Sequence, residues 1–502
     1  MSEALIVFLL VAVTQLVIWA PPLWKYHVLT ARAYLVATTL SYTWLLIDNP
    51  TFLVVLLGCL AAYRLVNLGR VAKNRMRDEY LRGVTWRTAW WFLSIEIISV
   101  SVWWLLSRMD RDAGAFWYLL IVFQAVFAVI LLLVTSRHMY ATRPPKKVAT
   151  VSTKALPSLT VAVPARNEDE ALRRCLEDLV ASDYPKLEII VLDDCSQNRN
   201  TPEIIRSFAH AGVRFIAGVE AEEYWLAKNF AYQQLADVAS GEYILFCGTD
   251  ARFEPGSLRL LIETMLHKKK NMVSVIPRNV VPKNQIGLAM LVQPMRYAWE
   301  VSLPRKTFRR PPVLSTCWVI QRKLLENSGG FKAVSRSVVP ESYFARVAVV
   351  HDGYSFMQSD QRIGIRCDKD YGTQHDTATR TKYPQLHRRP ELVFLLTLAE
   401  LITILLPLCL LVASIGTPAL RGEAITGGIT TVVLVLWYML VVTFTYRRPV
   451  WLSLIALPFA VLHDVALLNY SMLKYEFSAV LWKGRNICIP VMRIERSLKT
   501  KS

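Results

Sequence analysis

Residues 159–170, LTVAVPARNEDE, and residues 187–196, LEIIVLDDCS, decide the fold of this chain. Each opens on an apolar, largely β-branched run and closes on polar and acidic residues, and residues 169–180 between them have helical spacing. A strand, a helix and a second strand in this order predict two parallel neighbours, and open α/β sheets bind nucleotides beyond the carboxyl ends of such strands. Pro164, Arg166, Asn167 and Glu168 close the first strand, and Asp193 and Asp194 close the second. Both sets fall on one sheet edge. An acidic pair there can also be a loop or a helix cap. The polar set ending the neighbouring strand favours a nucleoside held by hydrogen bonds to base and ribose. Apolar runs at 213–217 and 243–247 extend the sheet as buried strands, with a second helix over 201–211.

This polar island, residues 157–390, lies between two apolar blocks. Of the 502 residues 53% are hydrophobic, and the mean hydropathy is +0.31. That excludes an ordinary soluble protein of this length and predicts several bilayer spans. Apolar runs cover 4–24, 34–47, 52–68, 89–106 and 115–134, then 392–413, 429–445 and 450–469. The organisation read from them is 1–145 with four or five spans, a 155–390 domain, and 391–502 with about three spans and a basic tail. The net charge of +19 sits mainly in loops beside these runs, which fits the positive-inside rule and lipid headgroups rather than nucleic acid. The basic loops 70–87 and 137–147 place the island in the cytoplasm, making this a multi-pass integral membrane protein. Three C-terminal spans leave the tail (474–501) outside, against the charge rule. Either one run is re-entrant or the tail lies on the outer face. Glu96 and Asp464, in apolar runs, line an acceptor or product path or sit at the interface. The eight cysteines are scattered, without CxxC pairs, and are read as reduced.

The motifs VPARNE (163–168), VLDDCS (191–196), AKNFAYQQLADVASGEYILF (227–246), GTDARFEPGSL (248–258), QRKLLENSGGF (321–331) and PESYFARVAVVHDGYSF (340–356) follow one another through the island. In order and spacing they resemble a membrane-embedded glycosyltransferase of family 2, with the GT-A nucleotide-diphosphosugar transferase fold. PESYFA is similar to the ceramide glucosyltransferase branch. Polysaccharide synthases of the cellulose and hyaluronan type share the overall plan. The resemblance implies an α/β GT-A domain inserted between two bundles of transmembrane α-helices. It also implies inverting transfer from a nucleotide-sugar, expected to be a UDP-sugar, to a lipid or growing polysaccharide at the cytoplasmic face of the bilayer.

Carried over by position, the resemblance puts Pro164, Arg166, Asn167 and Glu168 on the nucleoside pocket with Asp193 and Asp194 opposite, and Lys228 near the base or diphosphate. An exposed helix lysine is the plainer reading of Lys228. Asp250 is the surviving acid of the family's Asp-x-Asp motif, expected to hold Mg²⁺ or Mn²⁺, hard cations suited to oxygen ligands. Three positions depart from the pattern. Gly248 replaces the first acid. Ser342 stands where the catalytic base belongs, leaving the adjacent Glu341 as the substitute. The Gln-x-x-Arg-Trp signature is matched by Gln385, Arg388 and Arg389, or by a frame at 380–383, or by a merely basic juxtamembrane loop. These departures keep a second class of function open: a catalytically degenerate transferase fold that binds nucleotide-sugar or acts as a scaffold. A transporter is disfavoured, because it needs ionisable residues throughout its spans.

Overall fold

The computed structural model describes residues 36, 113–280, 286–302, 311–386, 388–416, 421–446, 450–476 and 480–488. The apolar runs read between 4 and 106, and Glu96, lie outside the described residues. The elements, in chain order, are α1 (Ala113–Ala141), β1 (Leu159–Ala165), α2 (Glu170–Val180), β2 (Leu187–Asp193), α3 (Asn200–Ser207), β3 (Val213–Ala217), α4 (Ala227–Val238), β4 (Tyr243–Cys247), β5 (Ala251–Phe253), α5 (Ser257–His267), β6 (Met272–Ile276) and β7 (Arg278–Asn279). There follow α6 (Ile286–Ser302), β8 (Cys317–Gln321), α7 (Arg322–Asn327), α8 (Pro340–Val350), β9 (Tyr354–Gln358), β10 (Ile365–Cys367), α9 (Tyr371–Gln385) and α10 (Pro390–Glu400). A π-helical turn (Leu401–Leu405) leads into α11 (Leu406–Gly416), and the chain ends with α12 (Arg421–Thr445), α13 (Ser453–Glu476), β11 (Leu481–Trp482) and β12 (Arg485–Asn486).

The main sheet has the order β3-β2-β1-β4-β8-β6-β9. The first four strands are parallel, as their alternation with helices predicts. β8 departs from that expectation and runs antiparallel to both neighbours. The strand runs are continuously apolar because both faces are covered. Leu159, Val161 and Val163 of β1 share a core with Leu172, Leu176 and Leu179 of α2 and Leu258 and Leu261 of α5. Ala162 turns to the other face, where α4 and α8 contribute Tyr232, Leu235, Phe344 and Ala348. Aromatic rings fill that second layer: Trp318 stacks on Phe246 at 4.6 Å and on Phe344 at 6.1 Å.

A three-stranded sheet, β5-β10-β7, closes the side of the domain. Its antiparallel register sets Cys367 opposite Ala251, which carries Asp368 and Lys369 to the turn after β4. The helix read at 201–211 divides into α3 and a 3₁₀ turn, Ala209–Ala211, ended by Gly212 at φ +82°.

The chain divides into two compact units, Met1–Ile121 with Arg388–Leu398 and Met472–Ser478, and Val122–His387 with Ala399–Ser471 and Ala479–Ser502. In the second unit an additional core joins Ile276 and Phe356 of the sheet to Met139 of α1, Tyr297 of α6, Trp437 and Val441 of α12, and Val461 of α13. Among the described residues four helices are long and apolar enough to cross a membrane, over Leu120–Ala141, Leu392–Val412, Ile425–Thr445 and Ser453–Tyr475. Phe123, Leu133, Ile429 and Phe459 on them are exposed, the composition of a membrane protein. The seven described cysteines form no disulfide with one another.

Candidate active site

A cavity of about 880 Å³ opens at the carboxyl ends of β1 and β4, a volume that suits a nucleotide-sized ligand. Pro164 of β1 and Glu168 just after it, Lys228, Asn229 and Tyr232 of α4, and the Gly248–Thr249–Asp250 turn form one side. Glu341 of α8, Arg296 and Glu300 of α6, Lys369, and Thr377, Arg380 and Gln385 of α9 form the other. Trp482, Lys483 and Arg485 of the C-terminal hairpin complete the rim.

Local structure explains these placements. The first turn of α4 is pinned by Asn229, whose side-chain amide donates to the carbonyls of Val334, Ser335 and Ser337 at 2.8–3.1 Å. That fixes Lys228 on the wall, 5.2 Å above the Tyr232 ring. Burial lowers the pKa of Lys228, and the nearby Glu341 carboxylate pulls it back up. Pro340 begins α8, where its missing N–H costs nothing. Glu341 follows, 2% exposed, and lines the cavity; Ser342 is not among the lining residues.

The nucleoside-edge residues divide. Glu168 lines the cavity and pairs with Lys483 at 3.2 Å. Burial pushes its carboxyl above the usual range, and Lys483 opposes that. Asp194 is 3% exposed; Arg485 Nη1 bridges its two carboxylate oxygens at 2.7 and 2.8 Å. Here too burial raises the pKa, and Arg485 offsets part of the rise. Arg166 is buried and donates to the carbonyls of Asp194 and Cys195, tying β1 to β2, and its Nε reaches Lys483 O at 3.1 Å. Asn167, at φ +48°, accepts from Gln197 N at 2.7 Å and donates to Lys483 O at 3.3 Å. Asp193 accepts from Ser196 N at 3.1 Å within the turn after β2. Arg166, Asn167 and Asp194 thus border the hairpin, and neither they nor Asp193 are among the cavity's lining residues. Gln385 lines the cavity. Arg388 belongs to the other compact unit, at φ +52° with its guanidinium 5.5 Å from the Tyr475 ring.

Sequence reasoning missed two contributors. The hairpin was read as part of a basic tail, although Lys483 and Gly484, both at positive φ, make the two-residue turn that a Gly-containing pair between short strands signals. Lys369 was not singled out. Its Nζ lies 2.8 Å from Asp250 Oδ2, and Cys367 Sγ donates to the same oxygen at 3.5 Å. Burial pushes the Asp250 carboxyl up, but Lys369 overrides this and holds it below the usual value.

The expected Mg²⁺ or Mn²⁺ meets a donor set that does not fit it. A Cβ at Gly248 would lie 2.4 Å from Asp250 Oδ1, so the turn has no space for a second acid there without rearrangement. Asp250 is neutralised by Lys369, and its neighbour Asp368 pairs with Arg252 at 3.1 Å. Among the described residues no group of three or more His, Cys, Asp and Glu could hold a metal ion. A dication about 4 Å from an ammonium is repelled by about 8 kcal/mol at an effective dielectric of about 20.

Comparison with known proteins agrees with this architecture. Residues 160–329 match the profile described as glycosyl transferase family 2. The α/β domain is therefore a family 2 glycosyltransferase domain, and the chain carries an enzyme domain of that class. The probable glycosyltransferase YdaM of Bacillus subtilis is 26% identical over 185 residues, 36% of this chain and 44% of the relative. An N-acetylglucosaminyltransferase of Neorhizobium galegae is 35% identical over 117 residues, 22% and 26% of the two chains. The chain thus spans less than half the length of these curated relatives. Among solved structures, the mannosyltransferase PcManGT of Pyrobaculum calidifontis, in complex with GDP-Man and Mn²⁺, is similar at 18% identity and a TM-score of 0.41, covering 71% of this chain and 98% of that one.

Proposed function

We propose that this protein is an inverting glycosyltransferase that moves a sugar from a nucleotide-sugar, a UDP-sugar on the family pattern, to a lipid or growing polysaccharide at the cytoplasmic face of a membrane that it crosses several times. The observation carrying the reading is the placement of Glu341, Lys228 and Asp250 on one cavity at the ends of β1 and β4. In this reading Pro164 and Glu168 bound the nucleoside end, and Lys228 and Arg380 face the diphosphate. The acceptor hydroxyl attacks the anomeric carbon as the bond to the diphosphate breaks, and Glu341 takes the hydroxyl proton. One displacement with one base inverts the anomeric configuration.

A lipid acceptor is favoured by α9. One face lines the cavity through Thr373, Thr377 and Arg380. The other packs on α13 through Tyr371 Oη to His463 Nε2 at 2.7 Å and Ser471 Oγ to Thr379 O at 2.6 Å. The cavity is therefore one helix away from an apolar helix layer.

Glu341→Gln tests the base assignment. Turnover of donor by purified protein should fall by about 100-fold or more while nucleoside diphosphate affinity stays near wild type; unchanged turnover rejects the assignment. The serine at 342 supports a second reading, a degenerate fold that binds nucleotide-sugar as a scaffold. Donor bound without release of nucleoside diphosphate under any acceptor condition decides for that reading.

A further inference from the structure

We propose that Lys369 occupies the role usually given to a divalent ion: its ammonium, fixed on Asp250, receives the donor diphosphate, and donor binding needs no metal. The inference rests on the cavity being a nucleotide-sugar site.

Three observations carry it. The first is the geometry of the β4–β5 turn. Gly248 leaves Asp250 as its one carboxylate, and that carboxylate lies where a side chain at 248 would begin, 2.4 Å from the Cβ position. The second is the pairing. Lys369 Nζ sits 2.8 Å from Asp250 Oδ2, with the two side chains 12% and 19% exposed, and both residues line the cavity. An ion entering here must first expel an ammonium already in place. Asp368, the adjacent carboxylate, also lines the cavity, and its Oδ2 lies 3.1 Å from Arg252 Nε, a cation that competes with any metal for it.

The third is how firmly Lys369 is placed. Cys367 is in register with Ala251, Asp368 N donates to Asp250 O at 3.1 Å, and Lys369 O accepts from Gln374 Nε2 of α9 at 3.0 Å. The lysine backbone is therefore held by a sheet on one side and a helix on the other. An ammonium has three N–H groups. One meets Asp250, and the others are available to phosphate oxygens, which lysine binds as a point charge.

In the transfer the bond between the anomeric carbon and the diphosphate oxygen breaks, leaving its electron pair on that oxygen. The acceptor oxygen bonds to the carbon and gives its proton to the base. Lys369 keeps its own proton throughout and offsets charge on the leaving group.

The test uses the full chain in detergent and UDP, GDP, CDP, ADP and dTDP as probes, titrated by calorimetry in excess EDTA and in excess MgCl₂ or MnCl₂. At least one diphosphate should bind equally well with and without metal. Lys369→Met should weaken that binding about tenfold or more in EDTA, and Lys369→Arg should retain most of it, with thermal melts reporting folding. On the wild type alone, the paramagnetic resonance of Mn²⁺ should be the same for protein plus diphosphate as for diphosphate alone. Binding that appears only with Mg²⁺ or Mn²⁺, or Mn²⁺ held by the wild-type complex, overturns the inference and leaves the donor-site reading standing. Failure of every diphosphate under every condition overturns both. If Lys369→Met does not fold, the two wild-type measurements decide.

Discussion

Lys228 shows how one enclosed charge sets a pH limit. Burial favours its neutral amine, so its folded pKa lies below the ordinary lysine value, despite the opposing pull of Glu341. Affinity that depends on this cation is present below the lowered pKa and is lost as pH rises through it. Nucleoside diphosphate affinity measured between about pH 7 and 11 should therefore fall earlier than an ordinary lysine allows. Lys228→Arg should move that loss to higher pH, because a guanidinium stays protonated. At this scale the sequence was partly legible. Strand-end position led to Glu168, and the resemblance to family 2 glycosyltransferases led to Lys228, Asp250 and Glu341; all four line the cavity. Position along the chain did not say which way neighbouring side chains turn. Arg166 and Asp193 border the same edge, yet they spend their polar atoms on backbone groups of the turn and hairpin.

Among the elements, the four parallel strands could be read from apolar runs because burial on both faces removes any alternation. The antiparallel β8 could not, since strand direction in the sheet depends on connections rather than on the strand's own residues. The hairpin Leu481–Asn486 was hidden for a related reason. Its partners, Asp194 and Glu168, lie about 300 residues earlier in the chain. Its fold hinges on Gly484 at φ +82°. Gly484→Val should cost about 1–2 kcal/mol of hairpin stability, in a turn where the added Cβ also approaches Gln197 Oε1 at 3.2 Å. Hydrogen exchange should show faster exchange at Ile487 N, which donates to Val480 O at 3.1 Å, with the β1 and β2 amides unchanged.

For the whole molecule, α13 carries an apolar stretch long enough to span, which is why three C-terminal crossings were expected. Yet the chain meets the α/β domain on both sides of it. Before α13, Asn279 Nδ2 donates to Thr445 O at 3.1 Å; after it, Arg485 holds Asp194. Between these points Asp464 pairs with Lys382 of α9. The Asn279 and Arg485 contacts tie the segments flanking α13 to the α/β domain, so the expected outcome is that the tail hairpin and the domain lie on one side of the membrane. Cysteines introduced singly at Val219 and Leu481, 60% and 65% exposed, should react with a membrane-impermeant maleimide in vesicles of the same orientation. Labelling from opposite sides rejects this placement.

The core shared by Ile276, Phe356, Trp437, Val441 and Val461 bears on any attempt to work with the α/β portion alone. Trimming the chain near residue 390 strips the covering from one flank of the main sheet. The severed fragment should be sticky and prone to clump in plain buffer, so biochemistry on this protein calls for the intact polypeptide kept in lipid or amphiphile.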